Sequence, residues 1–130
     1  MNILFDIVIP LGPNDKDNID YMVQYTKKNI IGYRNIYIIS YDKTIKVKDC
    51  IIIDEKIFPF NINIISTYLT ENDRNGWYLQ QLIKLYVSFY IPEILDNYLV
   101  IDSDTYFLKS TEFFLNNLSL IHISEPTRPY

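Results

Sequence analysis

Four short segments of the chain are almost continuously apolar: residues 3–9, 35–40, 50–54 and 98–102. Each is rich in Ile or Val, and continuous rather than alternating hydrophobicity is what a strand covered on both faces requires. The segments predict buried strands of a parallel sheet. Between the first two, Ile19, Met22, Val23 and Ile30 fall at helical spacing, with Asn14, Asp15 and Asp17 placed to supply caps and first-turn acids. A stronger helix follows Gly76, where Leu79, Leu82, Ile83, Tyr86, Val87 and Tyr90 form one apolar stripe and Pro92 ends the run. Its other side carries Gln80, Gln81, Lys84 and Ser88. Residues 57–75 are less regular: Ile62, Ile65, Ser66 and Leu69 have partial helical spacing, but the segment reads as a loop.

Strands alternating with helices define the α/β class, here half of a doubly wound, Rossmann-like fold with ligand expected at the carboxyl ends of its strands. A length of 130 residues leaves room for one domain and not two. The formal net charge of −4 leaves no basic surface to neutralise a run of phosphates, which excludes nucleic acid as the expected partner. The single cysteine, Cys50, opens an apolar run and reads as a strand thiol, so no disulfide framework exists and a reducing cytoplasm is expected. The N-terminal residues lack a basic region and read as a strand rather than a secretory signal. No apolar run approaches the roughly 20 residues that cross a bilayer, so membrane association is expected to be peripheral at most.

Candidate chemistry concentrates where the last apolar run ends. Asp102-Ser103-Asp104 follows Tyr98-Leu99-Val100-Ile101 directly, presenting two carboxylates at the mouth of a buried strand. At spacing two on an extended chain both side chains point to one side and can share a hard cation or a ribose. Asp15-Lys16-Asp17 has the same spacing but is more simply the acidic start of a helix. With only three glycines, Gly12, Gly32 and Gly76, the chain has no Gly-rich loop or P-loop to cradle phosphates through backbone N–H groups. A divalent ion on Asp102 and Asp104, assisted by Lys84, would neutralise a diphosphate instead.

The run Gly76-Trp77-Tyr78-Leu79-Gln80-Gln81-Leu82-Ile83-Lys84-Leu85, then Ile91-Pro92-Glu93, then Tyr98-Leu99-Val100-Ile101-Asp102-Ser103-Asp104-Thr105, resembles GT-A-type glycosyltransferases. The resemblance is to bacterial sugar transferases with a Gly-Trp-Tyr-x-Gln-Gln helix and, more loosely, to the glycogenin and lipopolysaccharide galactosyltransferase group. It implies a GT-A half domain that binds a nucleotide-diphosphate sugar, with Mn2+ or Mg2+ held by Asp102 and Asp104. Asp102 would also face the ribose, and Lys84 would contact the diphosphate or sugar. Pro10, Leu11 and Gly12 would line the nucleoside, while Gly76, Trp77 and Gln80 would add donor contacts. A glycan or lipid-linked acceptor is implied, for surface polysaccharide synthesis in the cytoplasm beside the inner membrane. No catalytic base or nucleophile can be named.

Val100-Ile101-Asp102-Ser103-Asp104-Thr105 also resembles the opening motif of haloacid-dehalogenase-type phosphatases, in which Asp102 would be the nucleophile and Asp104 the general acid/base. That motif belongs to a first strand, whereas about a hundred residues precede it here. In a non-catalytic alternative, the aspartates merely cap a turn in a small α/β interaction module. Residues 118–130 resemble a translated sequencing adapter, so the native part is expected to be 1–117, a fragment without its acceptor half and therefore inactive. The only histidine, His122, falls in that tail.

Overall fold

A computed structural model of the chain describes residues 3–69 and 74–113. The expected adapter-like tail, 118–130, lies outside the described residues. Among the described residues, four strands and three α-helices follow in the order β1 (Phe5–Pro10), α1 (Ile19–Asn29), β2 (Tyr33–Ser40), β3 (Cys50–Asp54), α2 (Ile62–Leu69), α3 (Asn75–Tyr90) and β4 (Tyr98–Val100). The strands form one all-parallel sheet in the order β3-β2-β1-β4. The fold is thus the α/β, Rossmann-like arrangement that continuous apolar strands predict.

Alternation along β1 explains the two layers of core. Ile7 and Ile9 face α1, joining Ile19, Met22 and Val23. Val8 faces the other way and joins Leu79, Ile83 and Val87 of α3. Ile7, Val8, Ile83 and Val87 are 0–1% exposed, and each such side chain stabilises the fold by about 1.5–3 kcal/mol of apolar burial. Helix α3 stops where Ile91 turns extended ahead of Pro92, because a proline ring disfavours helical geometry in the preceding residue.

A register irregularity lies between Phe5 and Ile7 where β1 pairs with β2. The fully buried Asp6 occupies it: its carboxylate accepts from Arg34 at 3.0 and 2.8 Å, from the Asn35 amide at 3.1 Å and from the Leu95 amide at 2.8 Å. This network satisfies the buried charge and fastens the amino end of the sheet, leaving the carboxyl end open for chemistry.

Three expectations change. Residues 62–69 are helical rather than loop, because α2 packs along α3, where Asn75 Nδ2 donates to Ser66 Oγ at 3.0 Å. The last strand ends at Val100, before the aspartates. Finally, α1 has no side-chain cap at Asn18 and is preceded by a short 3-10 turn, Lys16–Asn18; Asp15 faces elsewhere. Among the described residues, no helix is long and apolar enough to cross a membrane.

Candidate functional site

Connections from β1 lead through α1 to β2 on one side of the sheet, while β4 returns to pair with β1 on the other. The crossover direction therefore reverses between β1 and β4, and the loops leaving their carboxyl ends diverge to open a crevice there. The pairing of Val8 with Val100 and the bond from the Ile101 amide to Val8 O, at 2.9 Å, mark its floor. Above lies a cavity of about 180 Å³ lined by Pro10, Gly12 and Asp15 from the β1 loop, Trp77, Gln80, Gln81 and Lys84 from α3, and Asp102, Ser103 and Asp104 from the β4 loop.

Helix geometry explains why α3 contributes those residues. Trp77, Gln81 and Lys84 lie four and three residues apart, so they share a face, while Leu79, Ile83 and Val87 turn into the core. Gln80 sits at the seam, where its Nε2 donates to Leu11 O at 3.3 Å and ties the helix to the β1 loop. Trp77 is 57% exposed at the rim, its ring edge-on to Tyr78 at 5.2 Å. Lys84 Nζ stands 2.5 Å from Asp102 Oδ1, with the two side chains 26% and 28% exposed. At that depth solvent still screens much of their attraction, and both groups can be reached from the cavity.

The structure brings Pro10, Gly12, Trp77, Gln80, Lys84, Asp102 and Asp104 to one cavity. Leu11 does not join the lining: its side chain is 1% exposed within the α1-side core, and only its carbonyl faces the helix. Gly76 also stands apart, at the exposed start of α3, where an added Cβ would meet nothing within 4 Å. The extended geometry expected for Asp102 and Asp104 is replaced by a turn, closed by the Thr105 amide on Asp102 O at 3.0 Å. Asp102 and Asp104 still border the same cavity.

Asp15, Gln81 and Ser103 were missed as lining residues. For Gln81 the signal was present, since it lies one helical turn from Trp77. Asp15 has the sequence setting of a helix start, yet its carboxylate accepts from Ser103 Oγ at 2.6 Å. Ser103, hidden between two acids, showed no signal at all.

Among the described residues, no three His, Cys, Asp or Glu side chains come together to hold a metal ion. Two carboxylates, one of them paired with a lysine, do not suit zinc, which takes three or four protein ligands. Hard oxygen donors in that number do suit magnesium or manganese, which bind through one or two carboxylates and complete their shell with water and substrate phosphates.

An open parallel sheet between helical layers, with a charged cavity at its switch point, places the chain in the class of Rossmann-like α/β domains. More particularly, it belongs to DUF6492, a family of unknown function whose family model matches residues 32–122. The chain matches no curated protein and no solved structure.

Proposed function

We propose that the chain binds a nucleoside-diphosphate sugar as the donor-binding part of a GT-A-type glycosyltransferase. The observation that carries this reading is the meeting of Lys84, Asp102 and Asp104 at the crevice between the carboxyl ends of β1 and β4. That crevice is where open α/β sheets hold nucleotides. The cavity, at about 180 Å³, is smaller than the roughly 300–1,000 Å³ of complete small-molecule sites, and would take the charged middle of such a donor rather than all of it.

In this reading Lys84 donates to the diphosphate, while Pro10 and Gly12 support the nucleoside and Trp77 with Gln81 borders the sugar. Asp102 and Asp104 would hold Mn2+ or Mg2+. When bound, that ion supplies charge compensation for the departing nucleoside diphosphate. Lys84 orients Asp102 through the 2.5 Å contact, ready to serve ion or ribose. The setting implied by the sequence resemblance is a cytoplasmic enzyme serving a glycan or lipid-linked acceptor beside the membrane.

Titration calorimetry with uridine and guanosine diphosphate sugars tests this reading. Binding is expected only with added manganese or magnesium, and Asp104→Ala is expected to abolish the metal dependence. Equal metal-free binding by wild type and mutant, or no binding of any such donor, overturns it.

A further inference from the structure

Ser103 lies between the two aspartates and lines the same cavity at its buried side. It is 5% exposed, whereas Asp104 is exposed and Asp102 half-buried. The Ser103 hydroxyl accepts the Gly12 N–H at 2.9 Å and donates to Asp15 Oδ2 at 2.6 Å. Both partners belong to the β1 loop, itself closed by the Asp15 amide on Gly12 O at 3.2 Å. One hydroxyl therefore bridges the two loops that the switch point sets apart.

Gly12 is part of the same arrangement. A Cβ there would stand 2.7 Å from Asp15 Oδ2 and 3.3 Å from Ser103 Oγ, so a side chain could enter only if the Asp15 carboxylate shifted. The bond from Ser103 to Asp15, at 2.6 Å, is short and charge-assisted, the stronger kind of hydrogen bond, and joins a buried hydroxyl to a half-buried carboxylate.

We infer that Ser103 and Asp15 form a positioning latch that aims Asp102 and Asp104 into the crevice. Residues 102 and 104 flank Ser103 in the turn that Thr105 closes on Asp102 O. With the middle side chain pinned to the β1 loop, the turn is held where its two neighbours border the cavity. Asp15 acts through Ser103, as an acceptor, and not as a charge presented to ligand. What the aimed carboxylates hold rests on the donor-binding reading; the latch itself does not.

The test uses the full chain and Mn2+ alone as probe, with free Mn2+ counted by electron paramagnetic resonance and Gly12 amide exchange followed by NMR. Ser103→Ala is expected to speed Gly12 exchange and weaken Mn2+ binding by about 10–100-fold, the usual cost of losing a group that orients metal ligands. Asp15→Ala is expected to do the same. Asp15→Asn keeps an oxygen acceptor for Ser103 and is expected to restore both readouts close to wild type. If Asp15→Asn weakens Mn2+ binding as much as Asp15→Ala, Asp15 acts by charge and the positioning role is overturned. Unchanged Mn2+ binding in Ser103→Ala overturns it as well. If wild type binds no Mn2+, the metal-dependent donor reading fails separately, and the latch is judged on the carboxyl 13C signals of Asp102 and Asp104. Displacement in Ser103→Ala with retention in Asp15→Asn supports the latch, and unmoved signals in Ser103→Ala overturn it.

Discussion

Replacing Lys84 by Met removes the ammonium that stands 2.5 Å from Asp102 Oδ1 while keeping an unbranched stem of nearly equal helix propensity. Folding should suffer little. The two side chains are 26% and 28% exposed, so solvent screens much of their attraction, and the pair contributes about 1 kcal/mol at the upper end for accessible ion pairs. In a domain of this size that corresponds to a fall of roughly 4 °C in Tm. Binding should suffer much more, because Lys84 also faces the cavity where a diphosphate would sit. A charge-assisted hydrogen bond is worth about 1.5–3 kcal/mol, so the affinity for uridine diphosphate with Mn2+ should drop on the order of 10–100-fold. Circular dichroism melting and titration calorimetry on the same preparation separate the two effects. A variant that melts a few degrees lower but binds uridine diphosphate within twofold of wild type would show that the ion pair only fastens α3 to the β4 loop, and the reasoning would fail.

Two further predictions concern groups away from the crevice. Burial pushes the Cys50 thiol up to about 11, with Lys27 only partly offsetting it, so iodoacetamide at pH 8 should label Cys50 on the order of a hundredfold more slowly than a free thiol. Labelling should accelerate as pH rises toward that value, and free-thiol rates at pH 8 would contradict this. Burial, and then the neighbouring Asp54, raises the Glu55 carboxyl above its ordinary range. A raised acid favours folding most below the unfolded value, near about 4.3, and that favour is lost as pH rises through the folded value. Glu55→Gln should therefore raise the urea midpoint at pH 7 and leave it nearly unchanged at pH 4; the reverse order would refute the sign.

The strands were legible because a covered parallel sheet leaves largely apolar runs: Phe5–Pro10 and the second half of Tyr33–Ser40 are buried, while the edge strand Cys50–Asp54 keeps the run although none of its residues is fully buried and Ile51 is 43% exposed. Helix α3 was legible for the opposite reason: its sixteen residues are long enough for a one-sided stripe to stand out. Helix α2 was not, since in eight residues periodicity repeats barely twice and the helix depends on packing against α3. Leu11 shows a different failure. The resemblance implied ligand contact, but whether a loop side chain points outward or into the core is decided by α1, which no local pattern encodes.

Asp15 carries the same lesson into chemistry. Three polar residues ahead of an apolar helix are an ordinary start signal, and the local sequence gives no reason to read Asp15 otherwise. Its partner, Ser103, lies 88 residues away and reaches it only because β4 pairs with β1 across the sheet. The Asp102-Ser103-Asp104 motif could thus be found locally, while the group that sets its direction could not. A carboxylate at a strand end becomes a ligand site only when something holds the turn that bears it. In this fold the hold is supplied by the strand next door, through a glycine whose missing Cβ leaves room for it.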